Sequence, residues 1–321
     1  MLDRTETPAF RSINAAYSQV FQPGRLSIGL VLPLEAYAVG ETPTMGEHLE
    51  AAQLAEELGF AALWLRDVPF NVPSFGDVGQ IHDPFVYLGA LATVTDRIAL
   101  GTGSIILPLR HPAHVAKAAA SADVLSGGRL LLGVASGDRP EEYPAMNMDF
   151  PDRGARFRDS VDYIRALGTP YPTHENGSGT LSGGIDMLPK PVGSRLPLLI
   201  TGGSQQSPDW VAQNGDGWIT YPRNADAQGK VIADYRSRVQ AAGGPDKPVM
   251  QSLYVDLLPD ANASPRPIHL GFQAGTDVLR AYLREIEALG VNHVALNLRF
   301  NQAPIDTTLK HLADVVLPEF S

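Results

Sequence analysis

The 321-residue chain contains no cysteine. This absence excludes disulfide bonds, thiolate metal sites and a cysteine nucleophile, and it fits a reducing compartment, so we expect a cytoplasmic protein. No apolar run reaches the ~18 residues that a membrane span requires, and we find no signal-peptide core near the first residue. Basic residues are also scarce, since 25 Lys and Arg stand against 35 Asp and Glu, which gives a net charge of −10. We therefore expect neither a nucleic-acid partner nor attachment to a membrane.

What the chain does have is a repeated alternation of buried strands and amphipathic helices. Between Asp96 and Glu142, two apolar runs, IALGTGSIIL and RLLLGVAS, enclose the Ala-rich segment HPAHVAKAAASADVL. Strands that are apolar on both faces are typical of a parallel sheet covered by helices. The alternation continues through eight strands and eight helices, from Leu26–Pro33 to Asp306–Leu317. This order predicts a (β/α)8 TIM barrel rather than an open doubly wound sheet, whose Gly-x-Gly-x-x-Gly turn is missing after the first strand.

Three segments lie outside this alternation. Residues 1–25 are polar, and we expect them to form an irregular N-terminal arm that packs on the barrel or on a partner subunit. Residues 169–195 are too rich in Gly, Pro and Ser for a helix and are predicted to be an insertion after strand 4, in which a hairpin would fit. Residues 257–275 are predicted to be a second insertion, after strand 7. We interpret residues 1–321 as one barrel domain with these additions.

Four motifs, in this order, resemble those of the bacterial luciferase-like flavin-dependent oxidoreductases. They are LWLRD, RIALGTGSIILPLRHP, SGGRLLLGVASGD and LLITGGSQQSPDWVA. The resemblance covers Leu26 to Phe320 and implies a barrel, a homodimer, and FMN or a deazaflavin coenzyme held at the C-terminal face. It also implies a small organic substrate, with a reduced nicotinamide nucleotide or a separate flavin reductase as the source of electrons.

The resemblance assigns the cofactor phosphate to the loop after the fifth strand. The candidate residues there are Gly202, Gly203, Ser204 and Ser207. Backbone N–H groups and hydroxyls at the start of a helix suit a dianion, so the physical argument agrees with the resemblance. The alternative is an ordinary Gly-rich turn that ends in a serine N-cap.

The segment after the fourth strand is assigned to the ribityl chain and the phosphate. Its residues are Ser136, Gly137, Asp138 and Arg139. Luciferase has an arginine at the position of Ser136, so the positive charge must come from another residue. Arg139 and Arg153 are the candidates, because a guanidinium binds phosphate through two parallel hydrogen bonds.

Two further positions concern the isoalloxazine ring. The resemblance predicts a cis peptide bond between Gly103 and Ser104 beneath the ring, and the alternative is a trans bulge. Arg66 and Asp67 are the candidate catalytic residues, with a structural salt bridge at the barrel rim as the alternative. Luciferase has a histidine at the position of Val68, so its loss removes a base that titrates near neutral pH and favours hydride transfer over luciferase-type oxygenation.

These observations predict an FMN-dependent oxidoreductase that acts on a small organic molecule by oxygenation or by hydride transfer. One alternative is a reductase or dehydrogenase that uses a deazaflavin coenzyme, although its long anionic tail would require more Lys and Arg than this acidic chain offers. Another is a flavin-binding protein without turnover. No metal site is predicted, because His111 and His114 lack an accompanying carboxylate and are expected to cap and pack at a helix start.

Overall fold

The computed structural model describes residues 10–37, 42–76 and 78–320. Its strands are β1 (Ser27–Val31), β2 (Ala62–Leu65), β3 (Ala99–Thr102), β4 (Ile105–Ile106), β5 (Leu130–Ala135), β6 (Thr173–Asn176), β7 (Gly179–Ser182), β8 (Leu198–Thr201), β9 (Gly217–Thr220), β10 (Val249–Leu257), β11 (Arg266–Ile268), β12 (Gly271–Ala274) and β13 (His293–Asn297). Its helices are α1 (Ala15–Val20), α2 (His48–Glu57), α3 (Pro84–Val94), α4 (Pro112–Leu125), α5 (Glu142–Ala145), α6 (Arg153–Leu167), α7 (Pro208–Asn214), α8 (Ala225–Ala241), α9 (Thr276–Ala288) and α10 (Ile305–Val315). Short 3₁₀ turns occur at Pro73–Phe75, Leu107–Leu109 and Leu317–Glu319.

Eight of the strands in this described part of the chain form a closed parallel barrel. The ring runs β1, β2, β3, β5, β8, β9, β10 and β13, and β13 pairs with β1. Helices lie between successive barrel strands, as a parallel connection requires. The predicted (β/α)8 barrel is confirmed.

Both predicted insertions carry antiparallel hairpins. Strands β6 and β7 pair within the first insertion, after the fourth barrel strand and its helix α6. Strands β11 and β12 pair within the second insertion, and β12 extends the sheet beside β10, the seventh barrel strand. The insertions therefore follow barrel strands 4 and 7, where the sequence predicts them.

The N-terminal segment contains a helix, so the prediction of an irregular arm over residues 1–25 is wrong for Ala15–Val20. Asn14 starts this helix by accepting a hydrogen bond from the Tyr17 amide at 3.0 Å. The side-chain amide of Asn14 also donates to the Leu130 carbonyl at 2.7 Å and to the Asp123 carboxylate at 3.0 Å. The apolar face of α1 then packs against the side chains that fill the barrel interior. Residues 1–9 lie outside the described part of the chain.

The barrel interior is filled by side chains, so the barrel is not a channel. The indole of Trp64 donates a hydrogen bond to Nε2 of His293 at 2.8 Å, and Ser27 contacts the other ring nitrogen at 2.7 Å. Complete burial lowers the pKa of His293 to about 3, which keeps the imidazole neutral. The filled interior leaves the two ends of the barrel as the places for ligands. Among the described helices, none is both long and apolar enough to cross a membrane.

Candidate functional site

The predicted site residues lie beyond the carboxyl ends of four barrel strands, except for Arg153, which starts α6. Arg66 and Asp67 follow β2, Gly103 and Ser104 follow β3, and the segment Ser136–Arg139 follows β5. The loop Gly202–Ser207 follows β8. Because the strands are parallel, these ends meet at one face of the barrel, which is the face that carries catalysis in TIM barrels.

Small residues connect the third barrel strand to the fourth and to the end of the fifth. The Gly103–Ser104 peptide bond is cis, which confirms the prediction. The hydroxyl of Ser104 is hydrogen-bonded to that of Thr201 at the end of β8. The hydroxyl of Thr102 donates to the Gly133 carbonyl at 2.8 Å. These contacts hold the strand ends together without a bulky side chain.

The loop after β5 requires a glycine at position 137. Gly137 has a φ of +76°, and a Cβ there would lie 2.8 Å from Ile106 and 2.9 Å from the hydroxyl of Tyr143. That hydroxyl donates to the Ser136 carbonyl, which fixes the backbone just beyond the strand. Burial raises the pKa of Tyr143 to about 12, so the hydroxyl keeps its proton. Ser136 is buried, and Asp138, two residues further on, is exposed.

The loop after β8 gives its two serines different roles. Gly202, Ser204 and Gln205 have φ values of 54°, 43° and 61°, so the loop turns sharply. The hydroxyl of Ser204 donates to the Thr201 carbonyl at 2.8 Å and is therefore used within the loop. Ser207 accepts from the Trp210 amide at 3.2 Å as the N-cap of α7, and its own proton is left for a ligand. The predicted N-cap is present, and of these two serine hydroxyls that of Ser207 has the unused proton.

The start of α6 packs against this same loop, a contact that the sequence did not predict. The amide of Gln206 donates to the Gly154 carbonyl at 2.7 Å, and Arg158 donates to the Gln206 side-chain oxygen at 2.8 and 3.1 Å. Arg153 lies 3.7 Å above the ring of Phe150. Its Nε is buried and has no hydrogen-bond partner within the described ranges. Only the spacing of Gly154 and Arg158, one helical turn apart, could have indicated a shared face.

The two predicted cations, Arg139 and Arg153, lie over different aromatic rings. The buried guanidinium of Arg139 lies 4.4 Å above the ring of Phe75, in the loop after β2. Glu142 approaches it at 3.8 Å, and neither carboxylate oxygen of Glu142 makes a hydrogen bond of good geometry to a described residue. Burial raises the pKa of Glu142 to about 7, the nearby carboxylates of Asp67 and Asp138 add to the rise, and Arg139 and the Phe70 amide oppose it.

Asp67 forms a structural salt bridge, which is the alternative that the sequence analysis gives to a catalytic role. Its carboxylate, 2% exposed, accepts from Arg110 at 2.7 and 2.9 Å and from the Ile106 amide at 3.1 Å. Arg110 also binds Asp83, the N-cap of α3, at 2.8 Å. Because both oxygens of Asp67 are used in this way, the geometry gives no support to Asp67 as a catalytic residue.

Arg66 lies at the mouth of the barrel with two other polar side chains. Burial raises the pKa of Tyr221, Asp138 adds to the rise, and Arg66 opposes it, so the three groups interact electrostatically. Tyr221 follows β9 and is 44% exposed. Its place at the mouth could not be predicted from the sequence, because nothing in the GWITYP motif distinguishes it from a core aromatic residue.

Of the two neighbouring histidines, His111 caps the start of a helix, as the sequence predicts. His111 is the N-cap of α4, since its Nδ1 accepts from the Ala113 amide at 3.2 Å. Its ring lies 6.1 Å from that of His114. No group of three His, Cys, Asp or Glu suited to a metal ion occurs in the described residues.

Comparison with known proteins identifies relatives across most of the chain. The sequence pattern of the luciferase-like monooxygenase family matches residues 26–264. An uncharacterised protein of Mycobacterium tuberculosis is 32% identical over 228 residues, which is 65% of this chain and 79% of that protein. The F420-dependent hydroxymycolic acid dehydrogenase of the same organism is 28% identical over 226 residues, 69% of this chain and 60% of that enzyme.

Solved structures share the fold at lower sequence identity. A monooxygenase from Streptomyces bottropensis superposes with a TM-score of 0.75 at 22% identity, covering 92% of this chain and 100% of that structure. An F420-dependent secondary alcohol dehydrogenase bound to an F420–acetone adduct has a TM-score of 0.75 at 19% identity, with 92% and 99% of the two chains covered. A Baeyer–Villiger monooxygenase component from Pseudomonas putida, in complex with FMN, has a TM-score of 0.73 at 14% identity, with the same coverage. At these identities the likeness establishes the barrel alone.

Proposed function

The chain belongs to the luciferase-like monooxygenase family, and on this premise we propose that it is an oxidoreductase that binds FMN non-covalently and acts on a small organic molecule. Two relatives are named as a monooxygenase and as an F420-dependent dehydrogenase, which supports an enzyme. The observation that carries the proposed phosphate site is the contact between the start of α6 and the loop after β8.

In this proposal Arg153 and Ser207 hold the cofactor phosphate. The buried Nε of Arg153 lacks a partner in the described ranges, and the Ser207 hydroxyl has an unused proton, so both can donate to a dianion. Because Gly202 and Gly203 have no side chains, the phosphate could come close to the backbone there. Ser204 supports the loop through its bond to the Thr201 carbonyl instead of binding the phosphate.

The surface formed by Gly103, Ser104 and Thr201 supports the ring in this proposal. Bound flavin supplies the redox chemistry, and the protein residues position it and control access to it. Ser136 and Gly137 border this surface on the side of the fourth barrel strand. Arg66, Asp138 and Tyr221 lie at the open side, where a substrate would enter, and we assign substrate contacts to Arg66.

Aromatic side chains in the loop after β2 give the proposed substrate cavity an apolar wall. Phe70 and Phe75 are 40% and 43% exposed, and Arg139 lies beneath Phe75. Val68 contributes no base at the end of β2, which favours hydride transfer as the reaction. Electrons would come from a reduced nicotinamide nucleotide or from a partner flavin reductase.

A comparison of two neighbouring arginines tests the phosphate assignment. Replacing Arg153 by Gln removes the proposed cation, whereas Arg156→Gln changes an exposed residue of the same helix. We expect the first to weaken FMN binding about tenfold or more, as the loss of a charge-assisted hydrogen bond implies, and the second to leave it unchanged. Equal affinities in fluorescence-quenching titrations of both variants would refute this role for Arg153.

A deazaflavin coenzyme is the second candidate, favoured by the relative that is named as F420-dependent. The two coenzymes share the tricyclic ring and the phosphate, so the proposed contacts would serve both. The long anionic tail of the deazaflavin would extend to the mouth, where Asp138 places an exposed negative charge. This charge favours FMN.

We also propose a homodimer located in the cytoplasm. Val86 on α3 is 73% exposed and Leu125 on α4 is 66% exposed, so adjacent helices carry apolar surface that a second copy could cover. Sedimentation equilibrium tests this proposal, because a monomer at micromolar concentration would contradict it.

A further inference from the structure

A polar cavity lies at the opposite end of the barrel from the proposed flavin site. It has a volume of about 330 Å³ and is bordered by Asp216, which immediately precedes β9, and by Lys247, which precedes β10. These positions are at the amino ends of the barrel strands, whereas the flavin residues follow the carboxyl ends. No role in the proposed reaction therefore falls to this cavity.

Positive charge predominates around this cavity. Arg11, Arg165, Arg195 and Lys247 line it, together with the carboxylates of Asp216 and Asp246. Asp246 is already paired with Arg236, which is outside the lining. Asp216 is therefore the one lining carboxylate left to balance four lining cations, although the net charge of the whole chain is −10. This local reversal of sign is the property expected of an anion site.

Asp216 holds two of the guanidinium groups in place and uses both of its carboxylate oxygens as acceptors. It is 4% exposed and accepts from Arg165, from Arg195 and from the Leu198 amide at 2.9 Å. Arg195 keeps a buried Nε without a hydrogen-bond partner in the part of the chain that is described. Arg11 is exposed at the rim and makes no hydrogen bond or ion pair with any described residue.

Lys247 completes the set from the side of α7. Its ammonium donates to the carbonyls of Ala212 at 2.6 Å and Gln213 at 3.2 Å, which leaves one of its three protons for another acceptor. Burial lowers the pKa of Lys247 to about 8, Arg165 and Arg195 contribute to the lowering, and Asp216 opposes it. The cations thus repel one another, and a bound anion would relieve that repulsion.

We propose that this cavity binds a small oxyanion of the phosphate class, either free phosphate or a phosphomonoester, through Arg11, Arg195 and Lys247. Tetrahedral oxyanions offer several acceptor oxygens, which match guanidinium and ammonium donors that converge from different elements. The site is independent of the flavin site and would regulate or stabilise the barrel from its amino end.

Titration calorimetry with inorganic phosphate, glycerol 2-phosphate and sulfate at constant ionic strength tests this proposal. We expect saturable binding that both Arg11→Gln and Lys247→Met weaken about tenfold, while Lys230→Gln, an exposed lysine on α8, leaves it unchanged. Arg11→Gln touches no described contact of the fold, so it separates loss of the site from loss of structure. Preference for glycerol 2-phosphate over phosphate would identify a phosphomonoester as the ligand.

The flavin site must be excluded as the source of the signal. Arg153→Gln should leave anion binding at the amino end intact, and if it abolishes the signal while Arg11→Gln does not, the proposal is wrong. Sulfate keeps its charge between pH 7 and pH 9, so its affinity should fall over that range as Lys247 loses its proton, and Lys247→Met should remove the fall. Binding that chloride matches, or that no lining variant weakens, would also overturn the proposal.

Discussion

Glu142 should make the stability of this protein fall as the pH rises from acid to neutral. Its side chain is buried, and its pKa stands at about 7 against an ordinary value of 4.5. A carboxyl whose pKa is higher in the folded state than in the unfolded state favours folding while it is protonated. That contribution is complete below pH 4.5 and is lost as the pH rises towards 7. At roughly 1.36 kcal/mol per pKa unit, the loss is about 3 kcal/mol.

The Glu142→Gln variant removes this dependence because the amide cannot ionise. Urea unfolding at pH 5 and pH 8 should show the wild-type protein losing about 2–3 kcal/mol more than the variant over that interval. Glu141→Gln is the matched control, because Glu141 is the exposed neighbour and should leave the wild-type slope unchanged. Parallel stability curves for the wild-type protein and Glu142→Gln would refute the reasoning and would mean that Arg139 pairs with an ionised Glu142.

Three further substitutions test the contacts that shape the site and close the barrel. Asp67→Asn should lower the free energy of unfolding in urea by about 3 kcal/mol, because it breaks the buried pair with Arg110. Asp83→Asn removes the more exposed partner of the same arginine and should lower it by less than about 1 kcal/mol. Equal losses would contradict a structural role for Asp67. Gly137→Ala should lower the free energy of unfolding by about 3 kcal/mol, because the new methyl group would overlap Ile106 and Tyr143. Gly243 has a similar φ of +74° but open space around it, so Gly243→Ala should show only the strain of a positive φ, about 1 kcal/mol. Asn14→Ala should cost about 2 kcal/mol in the same assay, because it removes the cap of α1 and the bond to the Leu130 carbonyl. Ser12→Ala is the exposed control. An unchanged midpoint would mean that these two contacts of Asn14 do not hold α1 on the barrel.

The sequence predicts the barrel because its strands and helices are encoded locally. Apolar runs such as Leu130–Ala135 mark buried strands, and Pro84 after Asp83 marks a helix start. Helix α1 was missed because its six residues depend on Asn14 reaching Leu130, a contact between segments far apart in the chain.

The candidate site is predictable only as a set of strand ends. The sequence brings Asp67, Ser136 and Gly202 to one face, but it does not show that the partner of Asp67 is Arg110, 43 residues away. The sequence marks Ser207 as an N-cap by the Pro208 that follows it, but only the structure shows that the hydroxyl of Ser204 is used within the loop. Such pairings depend on how loops fold back on the barrel, which neither periodicity nor spacing encodes.

An absorbance titration of the purified protein, first with FMN and then with a deazaflavin coenzyme, tests the central claim most directly. We predict that FMN binds at micromolar concentration or tighter with perturbed absorption bands, and that Arg153→Gln weakens this binding where Arg156→Gln does not. Binding of the deazaflavin coenzyme alone would contradict the FMN assignment while leaving the phosphate contacts in place. If neither coenzyme binds, the proposed site at the carboxyl end of the barrel is wrong.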